Sequence, residues 1–162
     1  MRVWRFDANV DTDALAPGAY MQFGVEVLAR HCLKRLRPEF CQEVRRGDVI
    51  VAGSGFGIGS SREQAAAVLV HLGVAAVIAP SFGGLFFRNA FNLGLLALVC
   101  PQADEIHDTV SSNHSESGLT VCAEVGYVEQ QGRKIQVEST PAFLLEMVRC
   151  GGLMEVLRKK MQ

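Results

Sequence analysis

The chain of 162 residues is close to half apolar, one-fifth charged and carries a formal net charge of -1, the balance of an ordinary soluble globular protein large enough to bury a continuous core. That balance leaves no basic face for nucleic acid, and apolar runs such as residues 74–80 and 94–100 fall far short of the ~20 residues that span a bilayer. Residues 1–162 are expected to form one domain.

Residues 1–13 hold Arg2, Arg5, Asp7, Asp11 and Asp13 without an apolar core segment, so they do not read as a secretory signal and a cytoplasmic location is expected. Cys32, Cys41, Cys100, Cys122 and Cys150 are odd in number and widely spaced, which signals neither a disulfide framework nor a zinc or iron-sulfur site in this chain.

Residues 47–53 form a short β-branched run bounded by turn residues, the pattern of a buried strand. Glycines at 53, 55, 57 and 59 follow, then Ser60-Ser61-Arg62-Glu63, which read as an N-cap opening an amphipathic helix through Ala65, Ala66, Val68, Leu69 and Leu72, closed by Gly73. A second strand is expected over 74–79, a second helix over 82–92 ended at Gly94, and a third strand over 95–99 stopped by Pro101. The glycines at 83 and 84 lower helix propensity and move the start of the second helix toward Leu85. Strand, helix, strand, helix, strand with short connections is the pattern of crossovers in a parallel sheet, so the fold class is α/β: a mostly parallel central sheet with helices on its faces. Alternating segments over 119–124 and 133–138 are expected as a hairpin or edge strands completing that sheet. The polar stretch 111–118 reads as a mobile loop, and helical segments over 141–149 and 153–160 flank Gly151-Gly152.

The strongest constellation is Gly55-Phe56-Gly57-Ile58-Gly59-Ser60-Ser61-Arg62-Glu63 between a strand and a helix. Glycines let the backbone turn tightly and approach a ligand, free N–H groups at a helix start favour an anion, and Arg62 adds a bidentate carboxylate partner. The same residues equally describe a serine N-cap supported by Glu63. A nucleotide site fits less well, because the Walker lysine and the dinucleotide glycine spacing are both absent.

Residues 55–65 resemble the Asn-Phe-Gly-x-Gly-Ser-Ser-Arg-Glu-(His/Gln)-Ala motif of the small domain in the aconitase and isopropylmalate dehydratase family. Phe6-Asp7-Ala8-Asn9-Val10-Asp11-Thr12-Asp13 resembles that family's opening segment, and Pro17-Gly18-Ala19-Tyr20 its Pro-x-x-Tyr loop. Residues 75–82, Phe86-Phe87-Arg88-Asn89-Ala90-Phe91-Asn92-Leu93-Gly94-Leu95 and Gly151-Gly152-Leu153 match further family segments in order, so the resemblance covers nearly the whole chain. It implies the swivelling β/α domain of the aconitase C-terminal type, as the small subunit of a hydro-lyase that dehydrates and rehydrates a 2-hydroxy dicarboxylic acid. The expected reaction is the interconversion of 2- and 3-isopropylmalate in leucine biosynthesis.

The resemblance also implies a partner, a large subunit carrying a [4Fe-4S] cluster whose iron acts as Lewis acid, with no cofactor bound by this chain. Carried over by motif position, Ser60 is the base that moves the carbon-bound proton. Gly59, Ser61 and Arg62 contact substrate, together with the loop Tyr20-Met21-Gln22-Phe23. The chain departs from the family at three places. Gln22 is uncharged where members that bind a further carboxylate have arginine, and Met21 with Phe23 suits an apolar substituent. Ile58 stands where cysteine is common, and Gly83-Gly84 where Ala-Arg is common, which bears on docking or on the pocket.

His31, His71, His107 and His114 lack metal-ligand spacing, and Asp11 and Asp13 read as turn and cap residues. The rival readings are the same scaffold acting on dimethylmalate, citramalate or maleate, and a non-catalytic anion-binding module.

Overall fold

In the run Val49-Ile50-Val51-Ala52 every residue is buried, which only a strand covered on both faces allows. The computed structural model describes residues 1–110 and 118–161, and there this run, strand β2 (Val49–Ala52), pairs in parallel with β1 (Val3–Phe6) and β3 (Ala76–Ala79). Strand β4 (Leu96–Val99) completes the order β1-β2-β3-β4, all parallel. The predicted strands at 47–53, 74–79 and 95–99 are present with trimmed ends. Strand β1 had no counterpart in the sequence reading, because Arg5 interrupts its apolar run. Its guanidinium instead donates to the carbonyls of Asp104 and Ile106 at 2.8 and 2.5 Å.

The link from β1 to β2 carries helices α1 (Thr12–Leu15), α2 (Val25–Ala29) and α3 (Phe40–Glu43), with a 3-10 segment over Gly18–Phe23. Helix α4 (Gln64–His71) joins β2 to β3, and α5 (Gly84–Asn92) joins β3 to β4. The late start of α5 is the one its glycines predict, and Gly73, at φ +78, ends α4 in the left-handed conformation that glycine takes without strain.

Strand side chains alternate between faces, and here they divide two cores. Trp4, Ile50, Ala52, Val77 and Ala97 meet Leu28, Leu69, Phe86, Phe91 and the tail residues Met147 and Val156 on the helical side. Val3, Val49, Val51, Ile78 and Leu98 meet Leu119, Val128 and Ile135 on the other.

The helices thus flank the parallel sheet as expected, and a second layer lies on its other face. The downstream strands do not complete the parallel sheet. Strands β5 (Leu119–Cys122), β6 (Tyr127–Gln130) and β7 (Arg133–Gln136) form a separate antiparallel meander that covers the face the helices leave open. Strand β6 escaped the sequence reading because Glu129 and Gln130 break its apolar pattern. Gln131 and Gly132, both at positive φ (53° and 76°), make the two-residue turn that a right-twisted hairpin favours.

Helices α6 (Ala142–Cys150) and α7 (Leu153–Lys160) close the chain as expected. Most of the stretch expected as a loop, residues 111–117 including His114, lies outside the described residues. No helix among the described residues is long and apolar enough to cross a membrane.

Candidate functional site

Three loops leave the carboxyl ends of β1, β2 and β3 side by side, the place where open α/β sheets bind ligands. The glycine-rich loop after β2 lies between the other two. Toward the loop after β1, Asn9 N donates to Ser54 O at 2.8 Å, Gly57 N to Val10 O at 2.7 Å and Thr12 N to Ile58 O at 2.9 Å. Toward the loop after β3, Gly55 N and Phe56 N donate to Ser81 O at 3.1 Å, and Gly83 N donates to Phe56 O at 2.8 Å. The closeness explains the glycines. A Cβ at Gly57 would fall 2.2 Å from Cγ of the buried Phe86, and Gly57 also sits at φ +74.

The structure corrects the reading of residues 60–63 as a capped helix start. Helix α4 begins at Gln64 with Glu63 at its cap and no side-chain cap hydrogen bond. Ser60 and Ser61 are therefore not N-caps, and Arg62 precedes the first turn. Ser60 is exposed, and its partner is Thr12: Ser60 N donates to Thr12 Oγ1 at 3.1 Å, and the two hydroxyl oxygens lie 3.1 Å apart. Gly59, at φ +110, brings them together, since a Cβ there would stand 3.1 Å from Thr12 Oγ1. Ser61 lies exposed beside them.

Arg62 donates from Nη1 to Asp13 Oδ1 at 2.9 Å and to Ala16 O at 3.0 Å. Both bonds use one nitrogen, so the Nε–Nη2 edge, the edge that clasps a carboxylate bidentately, is not taken by them. The Arg62 guanidinium beside Asp13, with the Gly18 N–H, holds the Asp13 carboxyl below the usual carboxylate range. Asp11 caps α1 through Oδ1, which accepts from Ala14 N at 2.7 Å. Both aspartates thus act in turns and caps, as read from the sequence. Asp13 also accepts from Gly18 N at 3.0 Å, tying Arg62 to the first residue of the 3-10 segment.

That segment carries the four loop candidates. Tyr20 and Met21 are half-buried against the helical core, and Tyr20 stacks flat on His31, ring centroids 3.7 Å apart and 5° from parallel. Gln22 and Phe23 face outward, Phe23 at 56% exposure. The structure thus connects Ser60, Arg62 and the 18–23 loop through Thr12 and Asp13. Of the four candidates on that loop it brings Gln22 and Phe23 fully to the surface. Thr12 and His31 were missed as the partners of Ser60 and Tyr20, relations that spacing along the chain does not encode.

Of the other departures, Ile58 offers its backbone carbonyl to Thr12, a role any residue there would fill. Gly83 is fixed by a close approach, because its Cβ would meet Gly57 O at 2.4 Å, whereas Gly84 faces open space. Cavities of about 430, 410 and 250 Å³ are lined by other residues, so Ser60, Ser61 and Arg62 sit on a surface outside them. Among the described residues no three His, Cys, Asp or Glu side chains gather as a metal site.

Comparison with known proteins gives the same picture from another direction. The aconitase C-terminal domain model matches residues 38–103, which holds β2 to β4 and the glycine-rich loop. A 3-isopropylmalate dehydratase small subunit from Archaeoglobus fulgidus is 42% identical over 157 residues, covering 95% of this chain and 93% of that one. A methanogen homoaconitase small subunit from Methanothermobacter thermautotrophicus is 51% identical over 111 residues, covering 68% and 65%. A crystal structure of 3-isopropylmalate dehydratase from Methanocaldococcus jannaschii superposes with a TM-score of 0.87 at 36% identity, covering 99% of this chain and 93% of that one. With its parallel sheet, its glycine-rich loop and this similarity along nearly its whole length, the chain belongs to the aconitase C-terminal domain family, in its group of 3-isopropylmalate dehydratase small subunits.

Proposed function

We propose that residues 1–162 form one swivelling domain, the small subunit of a hydro-lyase that interconverts 2- and 3-isopropylmalate by dehydration and rehydration in leucine biosynthesis. The observation that carries this reading is the convergence of Ser60, Arg62 and the 18–23 loop on one rim, linked through Thr12 and Asp13, in a chain similar along its length to such subunits.

A [4Fe-4S] cluster supplies the Lewis-acid chemistry of this reaction. This chain's side chains do not fit one, since Cys32 and Cys100 are buried and the five cysteines are free and dispersed. The cluster is therefore assigned to the large partner subunit. This chain's share is binding and proton transfer. Arg62, through its Nε–Nη2 edge, and Ser61 hold a substrate carboxylate, with Gly59 keeping the backbone close. Ser60 acts as its alkoxide, the hydroxyl proton having first been released to solvent: its oxygen takes the carbon-bound proton, and that bond's electron pair becomes the double bond as the substrate hydroxyl departs as hydroxide. On rehydration Ser60 returns the proton to carbon.

Met21 and Phe23 flank uncharged Gln22, which suits an isopropyl group and offers no positive charge to a third carboxylate. The likeness to a homoaconitase small subunit favours a second reading, a tricarboxylate substrate. Anaerobic reconstitution with the cluster-bearing large subunit of the same genome, following the ultraviolet absorbance of the unsaturated product, separates the two. Isopropylmalate is expected to turn over best among isopropylmalate, dimethylmalate, citramalate, maleate and homocitrate. Preference for homocitrate would replace the reading, and no reaction with an intact cluster would remove it.

A further inference from the structure

Thr12 is 3% exposed, yet it turns a hydroxyl toward the exposed Ser60. Its Oγ1 accepts the Ser60 N–H at 3.1 Å and stands 3.1 Å from Ser60 Oγ. At that distance one hydrogen lies between the two oxygens, and their surroundings decide whose it is. Among the described residues Thr12 Oγ1 makes no other hydrogen bond. If Ser60 were the donor, the Thr12 hydroxyl would bury a hydrogen with no acceptor, the costly arrangement for a polar group away from water. If Thr12 is the donor, Ser60 turns its own hydrogen outward to solvent or substrate, and both hydroxyls are satisfied. The backbone enforces the pairing from both sides: Thr12 N donates to Ile58 O at 2.9 Å, and Gly59 keeps a side chain away from Thr12 Oγ1.

We infer that Thr12 is a positioning residue that donates its hydroxyl hydrogen to Ser60 Oγ, holding that oxygen as an acceptor with its proton directed toward the substrate face. This rests on the reading of Ser60 as the base. A donor fixed on the Ser60 oxygen is strongest while that oxygen carries negative charge, as the alkoxide that precedes proton abstraction and the one that forms when Ser60 returns the proton to carbon, because hydrogen bonds to an ionised acceptor are the strong ones. A buried, preorganised donor does this without reorganising during the reaction. Thr12 thereby supplies what a serine base needs and what the start of α4, four residues away at Gln64, does not supply.

The test uses the reconstituted two-subunit enzyme with Thr12→Val, which keeps the shape and removes the donor, and Thr12→Ser, which keeps the donor. Thr12→Val is expected to lower kcat about 100-fold or more, the loss typical of one deleted oxyanion donor, with KM within about threefold of the parent. Thr12→Ser is expected to retain kcat within about threefold. Where Thr12→Val does not assemble, Thr12→Ala removes the hydroxyl without placing a methyl group against Ser60, and the same split is expected. Parental kcat in Thr12→Val, or an equal loss in Thr12→Ser, overturns the inference, the latter because it would assign the effect to the threonine methyl group. Ser60→Ala is run alongside: if it keeps the parental rate, the base reading itself falls, whereas loss of rate in Ser60→Ala with none in Thr12→Val removes only the role of Thr12.

Discussion

Alanine at Gly83 and alanine at Gly84 are expected to move stability in opposite directions. At Gly83 the added methyl would lie 2.4 Å from Gly57 O, 2.8 Å from Gly57 C and 3.0 Å from Ile58 Cα. These are main-chain atoms in a segment bonded to Val10 and Thr12, so no rotamer change relieves the overlap. The torsions of Gly83, φ -61 and ψ 129, suit any residue, which leaves the steric term alone. Overfilling such a site costs about 1–3 kcal/mol. At Gly84, the first residue of α5, the methyl meets nothing within 4 Å, and replacing a helical glycine gains up to about 1 kcal/mol. The two variants should therefore differ by about 1–4 kcal/mol. Urea unfolding followed by the fluorescence of Trp4, the one tryptophan and fully buried, reads the difference as a midpoint shift at constant slope. A Gly83→Ala midpoint equal to the parent's would show that residues 57–58 yield freely, and would refute the close approach between the loops after β2 and β3.

Further outcomes follow from the same contacts. Arg62→Lys loses the planar fork but keeps the charge, and in the assembled enzyme should raise KM by about tenfold or more, the worth of one bidentate carboxylate contact; an unchanged KM would remove Arg62 from substrate binding. The Asp13 carboxyl is held low by Arg62 and the Gly18 N–H. Its contribution to stability is therefore present above the ordinary carboxylate range and fades as pH falls through the lowered value. The stability gap between the parent and Asp13→Asn should accordingly close on acidification, and an NMR titration of Asp13 should move back up in Arg62→Gln. Asp48 is buried and accepts from Arg2 Nη2 at 2.6 Å, Trp4 Nε1 at 2.8 Å and Arg45 N at 2.8 Å, so Asp48→Ala should cost about 3 kcal/mol in the same urea assay. Burial pushes the Cys32 thiol far up, so Cys32 should resist alkylation in the native chain and react only on unfolding; rapid native labelling would contradict its burial.

The parallel core was legible because β2 and β3 are buried on both faces, and such strands are written as unbroken apolar runs. Strands β1 and β6 were not, since Arg5 and Gln130 spend their polar groups on partners distant in sequence, Arg5 on Asp104 and Ile106 and Gln130 on His107, and Glu129 adds a charge to the run. The separate meander was unreadable for a related reason: its alternating pattern is the same whether it extends a sheet or covers one. At the site, Ser60 and Arg62 lie between β2 and α4, as the motif led one to expect, yet the local N-cap pattern misassigned the start of α4. The glycine loop is pinned by tertiary bonds to residues 9–12 and 81, which override the capping signal. Thr12 as the partner of Ser60 joins positions far apart in the chain, a relation that spacing does not encode.

The central claim is that Ser60 moves the proton in a reaction this chain completes for its partner. The most direct measurement is single-turnover dehydration of isopropylmalate by the anaerobically assembled two-subunit enzyme, parent against Ser60→Ala, with assembly checked by size-exclusion chromatography and cluster content by absorbance. The expected result is an intact complex with the chemical step slowed by about 1,000-fold or more, the scale on which a general base and its preorganised donor act together. An intact, cluster-loaded complex that turns over at the parental rate without the Ser60 hydroxyl would contradict it.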